Sequence, residues 1–268
     1  MILDELAALT RERIAKEKEN VSPEALKAKV EKMLQEGFRN PAEQKWGSYP
    51  FEAALKKSGL SVISEVKKAS PSKGVIAEEF PYMEIAKEYE AAGADAISCL
   101  TEPFRFRGAD AYLREIAANV SIPVLRKDFT VDPYMIYQAR EMGASAVLLI
   151  AAILSDEELK EYFALADSLG LSCLFEAHDK EELERCLKAG ARVLGVNNRN
   201  LKDFTVDINN SVRLRAYVPK DIPFVSESGI MDVADVAALR ENGTDAVLIG
   251  EMLMRSDSKT ALIAELKK

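Results

Sequence analysis

Histidine is almost absent from this sequence, since His178 is the only one among 268 residues. Cysteine is scarce too: Cys99, Cys173 and Cys186 lie far apart, and no CxxC pair occurs. A thiolate or imidazole metal site is therefore not expected. An odd number of unclustered thiols is typical of a protein in a reducing cytoplasm, which is the predicted location.

Long apolar runs and an excess of positive charge are also missing. No stretch of 18 apolar residues occurs, so no membrane-spanning segment is expected. Asp4, Glu5 and Glu12 interrupt the apolar residues at the N-terminus, which argues against a signal or transit peptide. A net charge of −8 argues against a nucleic-acid or anionic membrane partner. An anionic substrate would need a local cationic pocket.

The sequence does contain a regular alternation of short apolar runs and helical segments from residue 61 onward. Glycine follows four of the helical segments, as is usual for a left-handed helix C-cap. Eight such units predict an α/β protein with a (β/α)8 TIM barrel. A doubly wound open sheet is the alternative, but it usually has a GxGxxG turn after its first strand, which Lys67–Gly74 lacks. The predicted strands are Ser61–Val66, Ala94–Leu100, Pro123–Arg126, Ala146–Ile150, Ser172–Phe175, Val193–Val196, Pro223–Val225 and Ala246–Ile249.

Residues 1–50 precede the barrel and predict a helical extension packed on it, within a single domain that spans residues 1–268. Apolar residues from Ile2 to Ile14 recur at helical spacing. Ser22 and Pro23 predict the start of a second helix that continues to about Leu34. Residues 39–47 form a polar connector. Two interpretations of the extension stay open: a layer that closes one end of the barrel, and a partial lid over its mouth.

Polar side chains recur where the predicted strands stop. Alternate residues of a strand share a face, so Glu65 and Lys67 point the same way at the end of strand 1. In a TIM barrel the chemistry lies at these C-terminal ends, although a surface ion pair is the alternative for this pair alone. The glycines after strands 7 and 8, Gly229 and Gly250, predict a phosphate site formed by backbone N–H groups. The further candidates at strand ends are Lys127, Glu176, Asn197, Arg199, Glu227, Ser228 and Glu251.

Several of these segments together resemble the indole-3-glycerol phosphate synthase family. They are Ser64–Gly74, Val124–Phe129, Asp132–Tyr134, Asn197–Leu201 and Ser226–Ile230. The similarity extends from about Phe51 to Arg255. The resemblance implies a carboxy-lyase of tryptophan biosynthesis that converts 1-(2-carboxyphenylamino)-1-deoxyribulose 5-phosphate to indole-3-glycerol phosphate, carbon dioxide and water. It implies no cofactor and no metal, and we expect a monomer.

The resemblance also implies chemical roles. Lys127 is the acid that assists ring closure, and Lys67 is either the dehydration acid or an anchor for the substrate carboxylate. Glu176 is the base or a hydrogen-bond partner in dehydration. Glu65 orients one of the two lysines. Asn197, Glu227 and Ser228 hold the ribulose hydroxyls and the aryl end.

The remaining roles concern binding. Arg199 is expected to steady Glu65 or Glu227. His178 is expected to cap the helix after strand 5 rather than to act as a base. The resemblance places Ser70, Gly229 and Gly250 at the phosphate, with Glu251 as a further substrate-binding residue. It places Leu100, Phe106 and Phe129 at the aromatic ring, with plain core as the alternative for Phe129.

Two other functions stay open: a Schiff-base aldolase that uses Lys67 or Lys127, and a barrel that binds a sugar phosphate without turnover.

Overall fold

Eight parallel strands close into a barrel in this computed structural model, which describes residues 2–200 and 205–268. Each strand pairs with the next along the chain, and the last pairs with the first, with Ser61 opposite Ala246. The predicted (β/α)8 barrel is therefore confirmed. The strands are β1 Ser61–Val66, β2 Ala96–Leu100, β3 Val124–Lys127, β4 Ala146–Ile150, β5 Ser172–Ala177, β6 Leu194–Asn197, β7 Phe224–Glu227 and β8 Ala246–Ile249.

Several strands continue beyond their apolar runs. Strands β3, β5 and β7 end at Lys127, Ala177 and Glu227, later than predicted. The parallel ladder explains the difference, because Asn197 of β6 still pairs with Glu227 of β7, and Glu176 pairs with β4. Lys127, Glu176 and Glu227 at the barrel mouth therefore lie on strand backbone rather than on loops.

Helices surround the barrel and also precede it. Gly93, Gly143, Gly190 and Gly243 have φ between 82° and 95°, as predicted for left-handed residues at helix C-termini. The helices are α1 Ile2–Asn20, α2 Pro23–Gln35, α3 Pro41–Trp46, α4 Pro50–Leu55, α5 Tyr82–Ala91, α6 Asp110–Asn119, α7 Pro133–Glu141, α8 Asp156–Ser168, α9 Lys180–Ala189, α10 Asn209–Leu214, α11 Val233–Glu241, α12 Glu251–Met254 and α13 Lys259–Leu266.

The segment expected to be a polar connector contains the helix α3. Asn40 caps it by accepting from the backbone N–H of Glu43, and the Glu43 carboxylate accepts from the backbone N–H of Asn40. This capping box, with Pro41 at the first helical position, is a helix-start signal that the sequence contained. Glu43 also pairs with Arg140 of α7 at 2.6 Å, which fixes the extension to the barrel.

Helix α4 closes the end of the barrel where the strands begin. Phe51 and Leu55 are buried and pack with residues of the barrel interior. The Ser61 hydroxyl, at the start of β1, donates to the carbonyl of Ala54. Helix α4, which lies almost wholly beyond the predicted extension of residues 1–50, therefore forms a layer over this end of the barrel.

Helix α1 lies over the opposite end, at the mouth. Arg13 donates to Asp128 directly after β3 at 2.8 Å, and Lys18 donates to Asp132 at 2.6 Å. Leu3 is buried and belongs to the same apolar cluster as Phe51. The second interpretation, a partial lid, therefore applies to this helix of the extension.

No helix within the described parts of the chain combines the length and the apolar character needed to span a membrane.

Replacement of Phe51 by Ala tests the role of α4. Phe51 is fully buried, so Phe51→Ala should lower the free energy of unfolding by about 3 kcal/mol or more, since a cavity remains. Phe104→Ala is the matched control: its side chain is 49% exposed, and the loss should stay near 0.5 kcal/mol. Urea unfolding measures the free energy of unfolding of both variants. Equal losses in the two would show that α4 contributes nothing to the hydrophobic core.

Candidate active site

A cavity of about 540 Å³ opens at the C-terminal ends of the strands. Its wall contains every site residue predicted from the sequence, from Glu65 on β1 and Lys67 directly after it to Gly250 and Glu251 after β8. The cavity thus brings the predicted constellation together, while the chemical role of each residue stays a prediction. The sequence did not indicate the apolar residues of α1 that also line it, which are Ile2, Leu3 and Leu6.

Four of the polar residues form one layer across the barrel. They belong to alternate strands: Glu65 to β1, Lys127 to β3, Glu176 to β5 and Glu227 to β7. Alternate strands of a TIM barrel contribute their inward side chains to the same layer. The residues two positions earlier on the same strands lie deeper in the barrel and are all buried and apolar: Ile63, Leu125, Leu174 and Val225.

Lys127 lies at the centre of this charged layer. Its ammonium donates to Glu227 Oε2 at 2.8 Å and to Glu176 Oε2 at 3.3 Å. Burial acts to lower the pKa of Lys127, but the nearby carboxylates of Glu227, Glu176 and Glu65 outweigh it and raise the pKa well above its ordinary value. The amine is therefore protonated at neutral pH and can act as a proton donor.

The two carboxylates beside Lys127 differ in pKa. Burial acts to raise the pKa of Glu176, but the charges of Lys127 and His178 and a hydrogen bond from Asn197 lower it overall. Burial raises the pKa of Glu227 to about 7, and the neighbouring Glu176 adds to this rise against the effect of Lys127. The layer thus contains an ionised carboxylate and one that is partly protonated near neutral pH.

Glu65 and Lys67 form an ion pair of their own, with Nζ 2.7 Å from Oε1. Glu65 is buried, whereas Lys67 is partly exposed to the cavity. Burial acts to raise the pKa of Glu65, but the charges of Lys67 and Lys127 lower it below its ordinary value. The surface-pair alternative is wrong for these two residues, because they lie in the wall of the cavity.

Two glycines provide the space that these carboxylates occupy. A Cβ on Gly195, in β6, would collide with Glu227 Oε1. A Cβ on Gly250 would lie 2.6 Å from Glu65 Oε1. Gly195 was missed in the sequence, although a glycine inside a strand is a known sign of a close approach by another group.

Ser228 has a left-handed backbone, with φ of 65°, and the buried Asn198 holds it. The Asn198 amide donates to the carbonyl of Ser228 at 3.0 Å and to the hydroxyl of Ser226 at 2.9 Å. Its carbonyl oxygen accepts from the backbone N–H and the hydroxyl of Ser211. Asn198 therefore connects the ends of β6 and β7 and fixes the turn that leads into Gly229.

The predicted phosphate residues also belong to the wall of the cavity. They are Ser70, Gly229 and Gly250. Lys73, in the same loop as Ser70, is within 3.7 Å of Glu251, and both side chains are partly exposed. The lysine adds a positive charge close to the two glycine turns, whereas Glu251 adds a negative one.

Apolar side chains form another part of the cavity wall. The rings of Phe106 and Phe129 have centroids 6.3 Å apart, and Leu100 lies in the same wall. Phe129 also packs against buried apolar residues of the core. The core interpretation and the cavity interpretation therefore both describe it.

Asp128, next to Lys127, anchors the mouth to helix α1. Its buried carboxylate accepts from Arg13 at 2.8 Å, from the hydroxyl of Thr101 at 2.6 Å and from the backbone N–H of Phe129. Arg13 lies more than a hundred residues earlier in the chain, so no local sequence pattern indicates this contact. The network fixes the backbone on the C-terminal side of Lys127.

His178 does not cap a helix. The N-cap of α9 is Asp179, whose side chain accepts from the backbone N–H of Glu182. The expectation for His178 was therefore wrong by one position, because the aspartate is the better cap. The His178 ring instead lies between Glu182 and Glu176.

Arg199 lies in the wall of the cavity, and its backbone N–H donates to the side-chain oxygen of Asn197 at 3.0 Å. Its expected pairing with Glu65 or Glu227 stays a prediction. Leu201, the last residue of the segment that begins at Asn197, lies outside the described residues.

Within residues 2–200 and 205–268, no cluster of three or more His, Cys, Asp or Glu side chains is arranged to hold a metal ion. Cys99, Cys173 and Cys186 are all buried and free.

Some solved structures share this barrel fold although their sequences are only distantly similar. The 3-hexulose-6-phosphate synthase of Salmonella typhimurium matches with a TM-score of 0.64 at 13% identity, over 78% of this chain and 97% of that one. A thiamine phosphate pyrophosphorylase from Pyrococcus furiosus matches with a TM-score of 0.58 at 18% identity, over 77% of this chain and 93% of that one. At such identities the similarity shows the fold alone.

Sequence relatives are much closer. A protein named indole-3-glycerol phosphate synthase from Ruminiclostridium cellulolyticum is 55% identical over all of this chain and 99% of its own length. One of the same name from Lacticaseibacillus paracasei is 53% identical over the same shares. The family model described as indole-3-glycerol phosphate synthase matches residues 5–266. The chain therefore belongs to the indole-3-glycerol phosphate synthase family.

Proposed function

We propose that the charged layer of the barrel mouth carries out the reaction of this family, with Lys127 as its first acid. The observation that carries this assignment is the Lys127 ammonium, held between two carboxylates in the cavity at the barrel mouth. The aryl carbon attacks the ribulose carbonyl, and Lys127 donates a proton to the carbonyl oxygen. The substrate carboxyl group then leaves as carbon dioxide.

Dehydration follows as a separate step. Glu176 is the candidate base, because its pKa is held low and its oxygens face the cavity from β5. Lys67 is the candidate acid for the departing hydroxyl or, as the second possibility, the anchor of the substrate carboxylate. Glu65 holds the Lys67 ammonium and so serves either role. The dehydration releases one water. Indole-3-glycerol phosphate, carbon dioxide and water together then contain all the atoms of the substrate.

The raised pKa of Lys127 disfavours a Schiff-base mechanism at this residue. A lysine must lose its proton before it can attack a carbonyl carbon, and enzymes achieve this by lowering its pKa. The surroundings of Lys127 have the opposite effect. This environment supports proton donation and argues against Lys127 as the nucleophile of the aldolase alternative.

The binding groups follow from the same arrangement. We assign the phosphate to the Gly229 and Gly250 turns with Ser70 and Lys73, and the aromatic ring to the apolar part of the wall with Phe106. Asn197, Glu227 and Ser228 hold the ribulose hydroxyls and the aryl end. A small anionic substrate, rather than a nucleic acid or a membrane, agrees with the net charge of −8 and the cavity at the barrel mouth. We further propose that the protein is cytoplasmic and that it is a monomer of one domain. Light scattering measures the oligomeric state directly.

Lys127→Met should reduce turnover by about 10² or more, because the carbonyl oxygen then lacks its acid. Methionine keeps most of the side-chain volume, so urea unfolding should show a folded protein. Lys180→Met, at an exposed lysine after β5, is the control and should retain full turnover. Turnover is measured by the fluorescence of indole-3-glycerol phosphate. Turnover near the parental value in Lys127→Met would refute the assignment of the acid.

Glu176→Gln should separate the two halves of the reaction. Glutamine keeps the shape but cannot accept the proton, so a decarboxylated intermediate that still has its hydroxyl should accumulate. Single-turnover quench experiments compare carbon dioxide release with indole formation. If the two signals slowed equally, Glu176 would only orient the substrate, and Lys67 would be the better candidate for the second step.

Crystals grown with sulfate should hold the anion between the turns at Gly229 and Gly250, beside Ser70. Backbone N–H groups at both turns and the Lys73 ammonium provide the attraction. Crystallography at high sulfate is the measurement. An ordered sulfate elsewhere, with this position empty, would contradict the assignment.

A further inference from the structure

The ring of His178 lies between two carboxylates that belong to different elements. Its Nδ1 is 3.0 Å from Glu182 Oε2 on α9, and the same oxygen accepts from the His178 backbone N–H at 2.8 Å. Its Nε2 is 3.5 Å from Glu176 Oε1 on β5. The carbonyl of His178 accepts from Asn210 of α10, which fixes the backbone as well.

The Nε2 atom is buried and has no hydrogen-bond partner within the described parts of the chain. Because Nδ1 faces a carboxylate, it carries a proton in either charge state of the ring. In the neutral ring, Nε2 would then present a lone pair to the Glu176 oxygen, which is repulsive. In the imidazolium, Nε2 presents a proton to that oxygen, and a small movement completes the hydrogen bond.

The other charges around the ring favour the imidazolium as well. Burial acts to lower the pKa of His178, but Glu182, Glu176 and, more distantly, Glu227 of β7 outweigh it and raise the pKa. Lys127 of β3 is the cation that acts against this rise. It donates to Glu176 Oε2, the carboxylate oxygen that does not face His178. Two carboxylates therefore lie against the ring, from α9 and β5, and a third on β7 adds its negative charge at longer range.

We infer that His178 is a positioning residue for Glu176, and that its imidazolium keeps this carboxylate ionised and oriented while Lys127 is engaged with the substrate. The inference rests on the proposed roles of Lys127 and Glu176. When Lys127 donates its proton to the substrate, Glu176 loses the cation at Oε2. Its Oε1 then retains Asn197 and His178, and of these only His178 carries a charge. The imidazolium itself transfers no proton in this scheme.

The coupling can be measured directly because His178 is the only histidine. A single ring resonance in the NMR spectrum reports its protonation as the pH is changed. We expect the resonance of the parental protein to titrate above the ordinary value for histidine. In Glu176→Gln and in Glu182→Gln, the pKa of His178 should fall by about one unit, since each change removes a nearby negative charge.

Glu184→Gln is the matched control, because it removes the same charge from the same helix at an exposed position paired with Lys180. The pKa of His178 should stay within about 0.2 units of the parental value in this variant. If Glu176→Gln left the pKa of His178 unchanged, the inference would be overturned, whatever the activity of the protein. This measurement needs no substrate, so it is independent of the proposed function.

Kinetics then test whether the coupling matters for the reaction. His178→Phe keeps a ring without a charge, and kcat should fall about tenfold while KM changes less than about twofold. His178→Gln keeps a donor for Glu176 and should recover part of the loss. In the parental protein, kcat should fall as the pH rises through the pKa measured by NMR, and both variants should lack this limb.

A purely structural role for the ring gives a different pattern. His178→Phe would then retain kcat, and the alkaline limb would persist in both variants, which would overturn the inference. If Phe prevents folding, the Gln variant and the NMR titrations still decide the matter. Absence of turnover in the parental protein would instead refute the proposed function.

Discussion

Burial of the Lys127 ammonium between Glu176 and Glu227 is the constraint on which the rest of the mouth depends. A buried charge is costly unless it is paired, and a pair that loses one partner leaves the other uncompensated. The barrel meets this requirement because alternate strands place their side chains in one layer, so β3, β5 and β7 bring the three groups together. Gly195 is part of the same solution, since any larger residue would displace Glu227.

The barrel and most of this layer could be predicted from the sequence, because both are local patterns. Apolar runs bounded by helices show where strands lie, and polar residues such as Lys127 and Glu176 follow directly at their ends. The exact strand ends could not be read, because the ladder continues through polar residues that look like loop. Glu227 is an example: its backbone pairs with Asn197, although its side chain is charged.

Contacts between distant parts of the chain could not be predicted from the sequence. Arg13 resembles any basic residue on an amphipathic helix, and only the fold shows that it pairs with Asp128 beside the candidate acid. The helical extension was expected at one end of the barrel or the other, and its helix α1 lies at the mouth, whereas α4, which follows the extension, closes the opposite end. The hydrophobic stripe of a helix identifies a buried face but not the surface that covers it.

The charge balance of the mouth explains how it can accept an anionic substrate. Glu65, Glu176 and Glu227 face the ammonium groups of Lys67 and Lys127, and the excess negative charge of these five groups is balanced by the imidazolium inferred for His178. The pKa of Glu227 lies at about 7, so this carboxyl group can take up a proton at little cost near neutral pH. An arriving carboxylate or phosphate raises that pKa further, since a nearby negative charge favours the neutral form. Protonation of Glu227 would leave Glu176 as the ionised partner of Lys127, so the charge of the substrate and the counter-ions of the candidate acid are linked through Glu227.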